Sequence, residues 1–270
     1  MRQVRAKKSL GQHFLTDMDV ARRIAATLDP WQGLPVIEVG PGMGVLSQFL
    51  LEAGHDLTVV ELDRDSVAYL HEHFPRLEGR IIEHDFLKLD LTTVGGDGRF
   101  CVIGNYPYNI SSQILFHVLE YKDHVTCCSG MFQREVAQRV AAPPGSKTYG
   151  IVSVLLQAWY DVEYLFTVDE HVFNPPPKVK SGVIRLTRNS VTSLGCDERL
   201  FKIVVKTAFG QRRKTLRNSL RGLLPPASSP SLADPVFALR PEQLSVSQFI
   251  ELTNLIDGLR GHSPSSTSQL

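Results

Sequence analysis

The sequence predicts an α/β fold, a parallel sheet covered by helices on both faces, followed by a small α-helical domain. Short apolar runs alternate with helix-like stretches over roughly the first two thirds of the chain. Such runs, with little polar alternation, are typical of strands buried in a parallel sheet. From about Cys196 the periodicity becomes helical and no convincing strand follows.

The elements can be assigned in chain order. Five strand candidates come first: residues 36–39, "DLTVVELD", "RIIEHDF", "FCVIGN" and "HVTCCSGMFQ". Helical patterns follow the first two, and others lie around 111–121 and 133–140. "KTYGIVSVLLQAWYDVEYLFTV" and "SGVIRLTR" add further strands and helices, joined by the stiff segment "FNPPPK". The predicted divisions are a basic N-terminal arm (1–16), an α/β domain (17–190), a helical domain (191–260) and a disordered tail (261–270).

Length and composition are those of a soluble globular protein. The chain has 270 residues, of which 43% are hydrophobic and 21% are charged. No apolar run approaches the roughly 20 residues that cross a bilayer, and the N-terminus lacks the apolar stretch of a signal peptide. The four cysteines show no metal-ligand spacing. We therefore expect free thiols, no metal site and a monomer in the cytoplasm.

Charge is distributed unevenly, although the net charge is only +1. Residues 1–16 carry four bases and no acid, and residues 17–170 carry 11 bases and 22 acids. Residues 171–233 carry 12 bases and only two acids. This asymmetry predicts a polyanionic partner for the arm and for the C-terminal third. Basic residues that only solvate helix faces are the alternative interpretation.

A glycine cluster, "EVGPGMG", lies between the first strand and a helix. Its glycines let a ligand approach the backbone, and the helix start offers free N–H groups; they are Gly40, Gly42 and Gly44. The GxGxG spacing differs from the GxGxxG of dinucleotide-binding proteins. Glu38, near the mouth of the strand, suits a positively charged ligand and suits a pyrophosphate poorly. A simple turn is the structural alternative.

Acidic residues also end the second and third strands. Glu61 can accept hydrogen bonds from both hydroxyls of a ribose, and Asp85 can accept one from the exocyclic amine of adenine. The ends of parallel strands meet at one rim of the sheet, where open α/β sheets bind ligands. A single Asp after a strand is usually a helix cap. The ordered series, however, predicts a site for a nucleoside that carries a sulfonium, which is S-adenosylmethionine.

The fourth strand brings residues 105–108, "NYPY", to the same rim. Pro107 biases Tyr106 toward an extended backbone, so that carbonyl groups of the loop can point outward. The oxygen of Asn105 and a backbone carbonyl would hydrogen-bond an exocyclic amine and favour its pyramidal geometry during methyl transfer. Tyr108 offers a flat face on which a base can stack. Core packing of both tyrosines, with Asn105 in a turn, is the alternative.

Eight motifs between residue 7 and about 220 form a specific set: "KKSLGQHFL", "IEVGPGMGVLS", "VELD", "HDFL", "GNYPYNISS", "MFQREVAQR", "VFNPPPKVKSGVIRL" and "FGQRRKTLRNSL". With them the chain resembles the small-subunit ribosomal RNA adenine dimethyltransferases. The resemblance implies a Rossmann-like, seven-stranded methyltransferase domain that converts S-adenosylmethionine to S-adenosylhomocysteine. It implies N6,N6-dimethylation of two adjacent adenosines in the 3′-terminal hairpin of 16S rRNA, as a step in small-subunit biogenesis.

The resemblance also implies roles for single residues. Expected at the cofactor are Gln12, His13, Leu15, Glu38, Gly40, Gly42, Gly44, Glu61, Asp85 and Asn105. Expected at the reaction centre are Asn105, Tyr106, Pro107, Tyr108 and Phe173, with Phe173 stacking on the target base opposite Tyr108. Two positions depart from the family's pattern. His13 often is Asn, and Tyr106 stands where Leu is common, which leaves the role of its side chain open.

Two basic segments are expected to contact RNA. The loop "FNPPPKVK" is stiff and would clamp a base with little loss of entropy, unless it is a plain linker with Phe173 buried. Residues 199–221 carry eight bases and no acid, with bases on one helical face and leucines on another. The residues expected to bind RNA are Arg5, Lys7, Lys8, Lys178, Lys180, Arg212, Arg213, Lys214, Arg217 and Arg221.

Other functions stay open on the sequence alone. A large-subunit rRNA adenine methyltransferase of antibiotic-resistance type would share the cofactor, but "FGQRRKTLRNSL" is more typical of the small-subunit type. A non-catalytic assembly factor would not need the intact set of acids, glycine and asparagine at the strand ends. Methylases of protein glutamine or DNA adenine also use Asn-x-Pro-Tyr, but the basic segments favour RNA. We therefore expect the small ribosomal subunit and its rRNA as partners.

Overall fold

The computed structural model describes residues 6–7, 10–224 and 234–261. By internal contacts the chain divides into two units. The described residues within 1–141 and 160–189 form the first, which we call the sheet unit. The described residues within 142–159 and 190–270 form the second, the helical unit. The strands are β1 (Phe14–Leu15), β2 (Pro35–Val39), β3 (Asp56–Glu61), β4 (Ile81–Glu83), β5 (Phe100–Asn105), β6 (Val125–Gln133), β7 (Tyr160–Val168), β8 (Phe173–Asn174) and β9 (Ser181–Arg188).

The α-helices alternate with these strands and then dominate the C-terminal part. They are α1 (Met18–Ala25), α2 (Ser47–Glu52), α3 (Arg64–His73), α4 (Thr92–Gly95), α5 (Ser111–Glu120), α6 (Arg134–Val140), α7 (Ile151–Gln157), α8 (Glu198–Gly210), α9 (Leu216–Ser219) and α10 (Val246–Gly261). Among the described helices, none combines the length and the apolarity needed to span a membrane.

Seven strands form one sheet in the order β4-β3-β2-β5-β6-β9-β7. Strands β4, β3, β2, β5 and β6 are parallel neighbours, and β9 pairs antiparallel with both β6 and β7. This confirms the expected Rossmann-like domain of seven strands. Strands β1 and β8 form a separate antiparallel ladder of two residues each. It joins the N-terminal segment, by which we mean the described residues 6–7 and 10–16, to the loop before β9.

The central strands are apolar because both faces of the sheet are covered. In β2, residues 36–39 are all buried, and in β5 all residues but the last are buried. Leu50 of α2 and Leu70 of α3 lie in the same core as Val59 of β3 and Ile103 of β5. Burial of this apolar surface stabilises the fold by roughly 25 cal/mol for each Å² removed from water.

The order of the strands reverses between β2 and β5. The chain runs outward from β2 through β3 to β4 and then returns to β5 on the other side of β2. At such a switch point the following connections diverge, which leaves a crevice at the carboxyl ends of the strands. Gly40, Glu61 and Asn105 lie at these ends, and Asp85 lies two residues beyond β4.

The helical unit contains no strand among its described residues. Helix α8 begins after Asp197, whose carboxylate accepts a hydrogen bond from the Leu200 N–H at 2.6 Å, as an N-cap does. Helices α8 and α10 pack together, and Phe201 and Phe249 are buried. Residues 142–159, expected in the α/β domain, belong to this unit because α7 packs against α8 and α10.

The basic segment of the helical unit does not form one continuous helix. Helix α8 ends at Gly210, a turn follows, and α9 spans only Leu216–Ser219. Leu216 and Leu220 are buried, as the leucine spacing predicts. The expected single basic helical face is therefore divided between a turn and a short helix. The predicted tail lies, apart from the helix end at Gly261, outside the described residues.

Candidate active site

A cavity of about 230 Å³ opens at the rim where the strand order reverses. The structure brings together at this cavity twelve of the residues predicted for the site: Gln12, His13, Leu15, Glu38, Gly40, Gly42, Glu61, Asp85, Asn105, Tyr106, Pro107 and Tyr108. Three of them are acids, and no lysine or arginine lines the cavity in the described part of the chain. The described lining residues therefore offer carboxyl acceptors and no lysine or arginine charge, which favours a cationic ligand over an anionic one.

Glu61 ties the end of β3 to the glycine cluster. Its Oε1 accepts hydrogen bonds from the backbone N–H groups of Leu62 and Asp63, both at 2.8 Å. Its Oε2 accepts one from the N–H of Gly42 at 3.0 Å. Burial raises the pKa of Glu61, and the three backbone donors offset part of that rise. A carboxylate has about four acceptor positions, so these donors leave acceptor capacity for a ligand.

Glu38 is more deeply buried, with 1% of its surface exposed. Its carboxyl group accepts a hydrogen bond from the Ser47 hydroxyl at 2.6 Å. Burial raises the pKa of Glu38 to about 8, so the group is largely protonated at neutral pH in the ligand-free protein. Ser47 lies nine residues after Glu38 in the sequence, and the fold brings the two side chains together.

The glycines of the cluster differ in what surrounds them. Gly40 has φ +66°, and a side chain there would meet no atom closer than Pro107 Cδ at 4.0 Å. The backbone of Gly40 is therefore open to the cavity. Gly44 does not line the cavity. A Cβ built at this position would lie 2.4 Å from Phe74 Cζ. Phe74 packs against Gly44, whose φ of +76° also favours glycine, and contact of Gly44 with the cofactor stays a prediction.

Asp85 lies at the cavity and also caps a short helix. Its Oδ1 accepts a hydrogen bond from the Leu87 N–H at 3.1 Å, which begins the 3₁₀ helix Phe86–Lys88. Lys88 Nζ lies 3.4 Å from Oδ2, and the side chain is 30% exposed. The carboxylate of Asp85 thus caps a helix and also lines the cavity. Its interpretation as a helix cap and its interpretation as a ligand contact are therefore compatible.

Asn105 joins the rim to the N-terminal segment. Its Nδ2 donates a hydrogen bond to the carbonyl oxygen of His13 at 3.1 Å. Because the amide nitrogen is used in this way, Oδ1 is the acceptor that remains for another group. His13 is held in turn by its Nδ1, which lies 2.8 Å from the carbonyl oxygen of Pro175.

The structure shows where the side chain of Tyr106 lies, whereas the sequence left its role open. Its side chain is 1% exposed, its hydroxyl donates to the Ser129 carbonyl oxygen at 2.9 Å, and its ring stacks on Phe132 with the centroids 4.5 Å apart. The ring of Tyr106 therefore packs in the core. The structural alternative holds for this side chain, although the residue contributes to the cavity wall.

Tyr108 is half-buried and is held from two sides. Its hydroxyl is hydrogen-bonded to the Ser181 hydroxyl, and its ring centroid lies 5.3 Å from that of His13. Ser181 is fully buried at the start of β9. Sequence reasoning missed this residue as part of the site, because 73 residues separate it from Tyr108 and only the sheet brings the two together.

Phe173 does not lie at the cavity. It pairs with Leu15 in the β1–β8 ladder, is 4% exposed and belongs to the hydrophobic core that also contains Val168. The two-residue ladder directs this ring inward. The buried alternative describes the position of Phe173 in this structure, and its stacking on a target base stays a prediction.

The residues expected to bind RNA have diverse surroundings. Lys178 is exposed, and Lys180 is exposed beside Asp169, with which it forms an ion pair. Lys7 forms ion pairs with Asp63 and Asp65. In the helical unit Arg212 donates to a backbone carbonyl, whereas four bases are exposed: Arg213, Lys214, Arg217 and Arg221. Two further expected residues, Arg5 and Lys8, lie outside the described residues.

Replacing Glu38 with Gln should remove a pH dependence of stability. Its pKa of about 8 exceeds the ordinary value of 4.5, so the folded protein binds this proton more tightly than the unfolded chain does. The wild type should therefore lose stability, on the order of a few kcal/mol, as pH rises from the ordinary to the raised pKa. The Glu38→Gln variant should lose less stability than the wild type over the same pH range. Denaturant unfolding without ligand at several pH values measures this, and identical pH profiles would contradict it.

Known proteins place the chain in a family. The family model described as ribosomal RNA adenine dimethylase matches residues 3–256. "Ribosomal RNA small subunit methyltransferase A" of Parabacteroides distasonis is 69% identical over 253 residues, 94% of either chain, and the protein of that name from Flavobacterium johnsoniae is 55% identical over 95% of this chain and 98% of its own.

Two solved structures share the fold along nearly the whole chain. A dimethyladenosine transferase from Plasmodium falciparum superposes with a TM-score of 0.78 at 21% identity, covering 92% of this chain and 98% of that one. The 23S rRNA methyltransferase ErmE superposes with a TM-score of 0.66 at 25% identity, covering 90% and 99%. From the family match and the identity to its relatives, the chain belongs to the ribosomal RNA adenine dimethylase family.

Proposed function

We propose that this protein transfers methyl groups from S-adenosylmethionine to N6 of two adjacent adenosines in the 3′-terminal hairpin of small-subunit rRNA. The observation that carries the proposal is the rim cavity, in which acids from three strand ends lie beside Asn105 and Tyr108 with no lysine or arginine among the described lining residues. Family membership supports the same reaction. Two methyl groups on each adenosine would give the dimethylated product.

The residues of the cavity fit S-adenosylmethionine. This cofactor supplies an electrophilic methyl group on a positively charged sulfur, and it also carries an ammonium group. Glu61 keeps about one acceptor position for a ribose hydroxyl beside its three backbone donors, and Asp85 would accept from an adenine amine. Gly40 leaves its backbone open for the methionine end, near the carboxyl of Glu38. A phosphate-bearing ligand would lack a cationic partner at these lining residues.

Asn105 and the loop after it would act on the target amine. The amine of adenine is a poor nucleophile because its lone pair is delocalised into the ring. Hydrogen bonds from its N–H groups to Oδ1 of Asn105 and to a loop carbonyl would favour the pyramidal nitrogen of the transition state. Tyr108 would stack on the base, with its ring oriented by Ser181 and His13.

The four exposed bases of the helical unit supply charge for the RNA backbone. Arg213, Lys214, Arg217 and Arg221 lie within a segment that contains no acid between Arg199 and Arg221. Contacts from such bases to phosphates strengthen binding in a salt-dependent way and position the substrate without reading its sequence. Lys178, exposed on the loop before β9, supplies a further basic contact in the sheet unit.

The small subunit is favoured over the large subunit as the source of the substrate. Relatives named for the small subunit reach 69% identity over 94% of the chain, whereas the large-subunit enzyme ErmE is 25% identical. The helical segment "FGQRRKTLRNSL" supports the same choice. The intact set of strand-end residues supports catalysis over a purely structural role in assembly.

Methyl transfer to small subunits that lack adenine methylation near the 3′ end tests the proposal. Purified protein and radiolabelled S-adenosylmethionine should dimethylate two adjacent adenosines, mapped by reverse-transcription stops. Asn105→Ala should slow transfer by about 10²–10³-fold, because the amine loses its acceptor, while cofactor binding stays measurable. Asn254→Ala, which alters an exposed asparagine of α10 whose Nδ2 donates to the Gly195 carbonyl oxygen at 3.1 Å, is the control and should transfer at the wild-type rate.

Three results would contradict this account of the reaction. An unchanged rate in Asn105→Ala would remove the role of its side chain. Tight binding of wild-type protein to the subunit without any transfer would favour the assembly-factor alternative. Transfer only to large-subunit rRNA would favour the resistance-type alternative.

Charge reversal in the helical unit should weaken subunit binding. Arg213→Glu combined with Lys214→Glu removes two exposed bases, and the slope of log affinity against log salt should become shallower by about two. Reversal of Arg240 and Arg260, two bases outside the basic segment, is the matched control and should change the slope less. Affinities at several salt concentrations measure both, and an unchanged slope in Arg213→Glu/Lys214→Glu would exclude phosphate contacts by these residues.

A further inference from the structure

Asp63 is a buried carboxylate just beyond the acid that ends β3. Its side chain is 1% exposed, and both of its oxygens accept hydrogen bonds. Oδ1 accepts from Lys7 Nζ and from the Asp65 N–H at 3.3 Å. Oδ2 accepts from Gln12 Nε2 at 3.3 Å and from the Ser66 hydroxyl at 3.2 Å. Two of these donors come from the N-terminal segment, 56 and 51 residues away in sequence.

The N-terminal residues that contact Asp63 are also hydrogen-bonded to one another. The backbone N–H of Lys7 donates to Gln12 Oε1 at 2.9 Å, and the N–H of Leu10 donates to the Lys7 carbonyl at 3.0 Å. Lys7 Nζ also contacts Asp65 Oδ2 at 2.8 Å. The charge pattern predicts that Lys7 binds RNA. In the structure, however, its ammonium group forms ion pairs with two acids at the start of α3.

The backbone of Asp63 extends the network to the cofactor cavity. Its N–H donates to Glu61 Oε1, and Glu61 Oε2 accepts from the N–H of Gly42. A continuous set of hydrogen bonds therefore joins the N-terminal segment, the end of β3 and the glycine cluster. All three segments line the same cavity.

Helix capping alone does not require this arrangement. An N-cap needs one acceptor for the first turn, and Asp65 and Ser66 already provide such donors to Asp63. A carboxylate so deeply buried is costly unless an opposite charge compensates it, and Lys7 supplies that charge. Burial raises the pKa of Asp63, but the hydrogen bonds from Lys7 and Gln12 outweigh this and keep the pKa below its usual value.

We propose that Asp63, Lys7 and Gln12 form a latch that holds the N-terminal segment at the cofactor cavity. Lys7 and Asp63 are then positioning residues for the cofactor, and Lys7 is not an RNA contact. They act through Gln12, Glu61 and the glycine cluster and touch no reacting atom. The inference rests on the proposed function, since it takes the ligand of this cavity to be S-adenosylmethionine.

Calorimetric titration with S-adenosylhomocysteine tests the latch in the full-length protein. Lys7→Gln and Asp63→Asn should each weaken binding about tenfold, because the open N-terminal segment must close again when the ligand binds. The double variant should bind about as weakly as Asp63→Asn alone, because both changes break one interaction. Arg64→Gln is the matched control. Arg64 is next to Asp63 in the sequence, and the change removes an exposed ion pair to Glu83, so this variant should bind S-adenosylhomocysteine like the wild type.

Two further readouts separate this role from RNA binding and from loss of structure. Without ligand, amide hydrogen exchange over residues 10–16 should be faster in Lys7→Gln than in wild type, while the core strands exchange alike. Affinity for the small subunit should be unchanged in Lys7→Gln. Subunit binding that weakens while S-adenosylhomocysteine binding is unchanged would overturn the latch and return Lys7 to the RNA contacts.

The titration also distinguishes failure of the latch from failure of the function. Wild-type protein that binds S-adenosylhomocysteine, together with Lys7→Gln that binds equally well, would overturn the latch alone. Wild-type protein that does not bind S-adenosylhomocysteine would overturn the proposed cofactor, and the latch with it.

Discussion

The buried carboxylate of Glu61 is the interaction on which the rest of the site depends. It accepts three backbone hydrogen bonds, two from the end of β3 and one from the glycine cluster after β2. Hydrogen bonds to an ionised group are roughly twice as strong as those between neutral groups. The carboxylate thus fixes two neighbouring strand ends against each other while it lines the cavity, so the bonds that shape the cavity also place an acceptor for its ligand.

Topology explains why one rim collects so many functional groups. The reversal of strand order between β2 and β5 opens a crevice, and the N-terminal segment covers it through Asn105 and the β1–β8 ladder. Acidic and basic residues are also found in different parts of the protein. Acids line the cavity, where the proposed ligand is cationic, and exposed bases without nearby acids in sequence lie in the helical unit, where the proposed partner is a polyanion.

The sequence predicted the sheet and most of the cavity because both depend on local signals. Apolar runs, glycine spacing and acids at strand ends are visible within a few residues, and Glu38, Glu61, Asp85 and Asn105 all lie at the cavity. What it missed depends on contacts between distant segments. The contacts of Ser181 with Tyr108 and of Lys7 with Asp63 form only in the folded protein. The rings of Tyr106 and Phe173 point inward because of packing that no local sequence pattern predicts.

Titration of S-adenosylhomocysteine into wild type and Glu61→Gln tests the central claim most directly. In wild type, three backbone N–H groups donate to the carboxylate of Glu61. The NH₂ group of Gln would face at least one of these donors without accepting its hydrogen bond, which would disrupt the contact with the glycine cluster. The account predicts one ligand per wild-type chain and binding at least about tenfold weaker for the folded Glu61→Gln variant. Equal affinity in the two proteins would contradict the claim that this carboxylate organises the site.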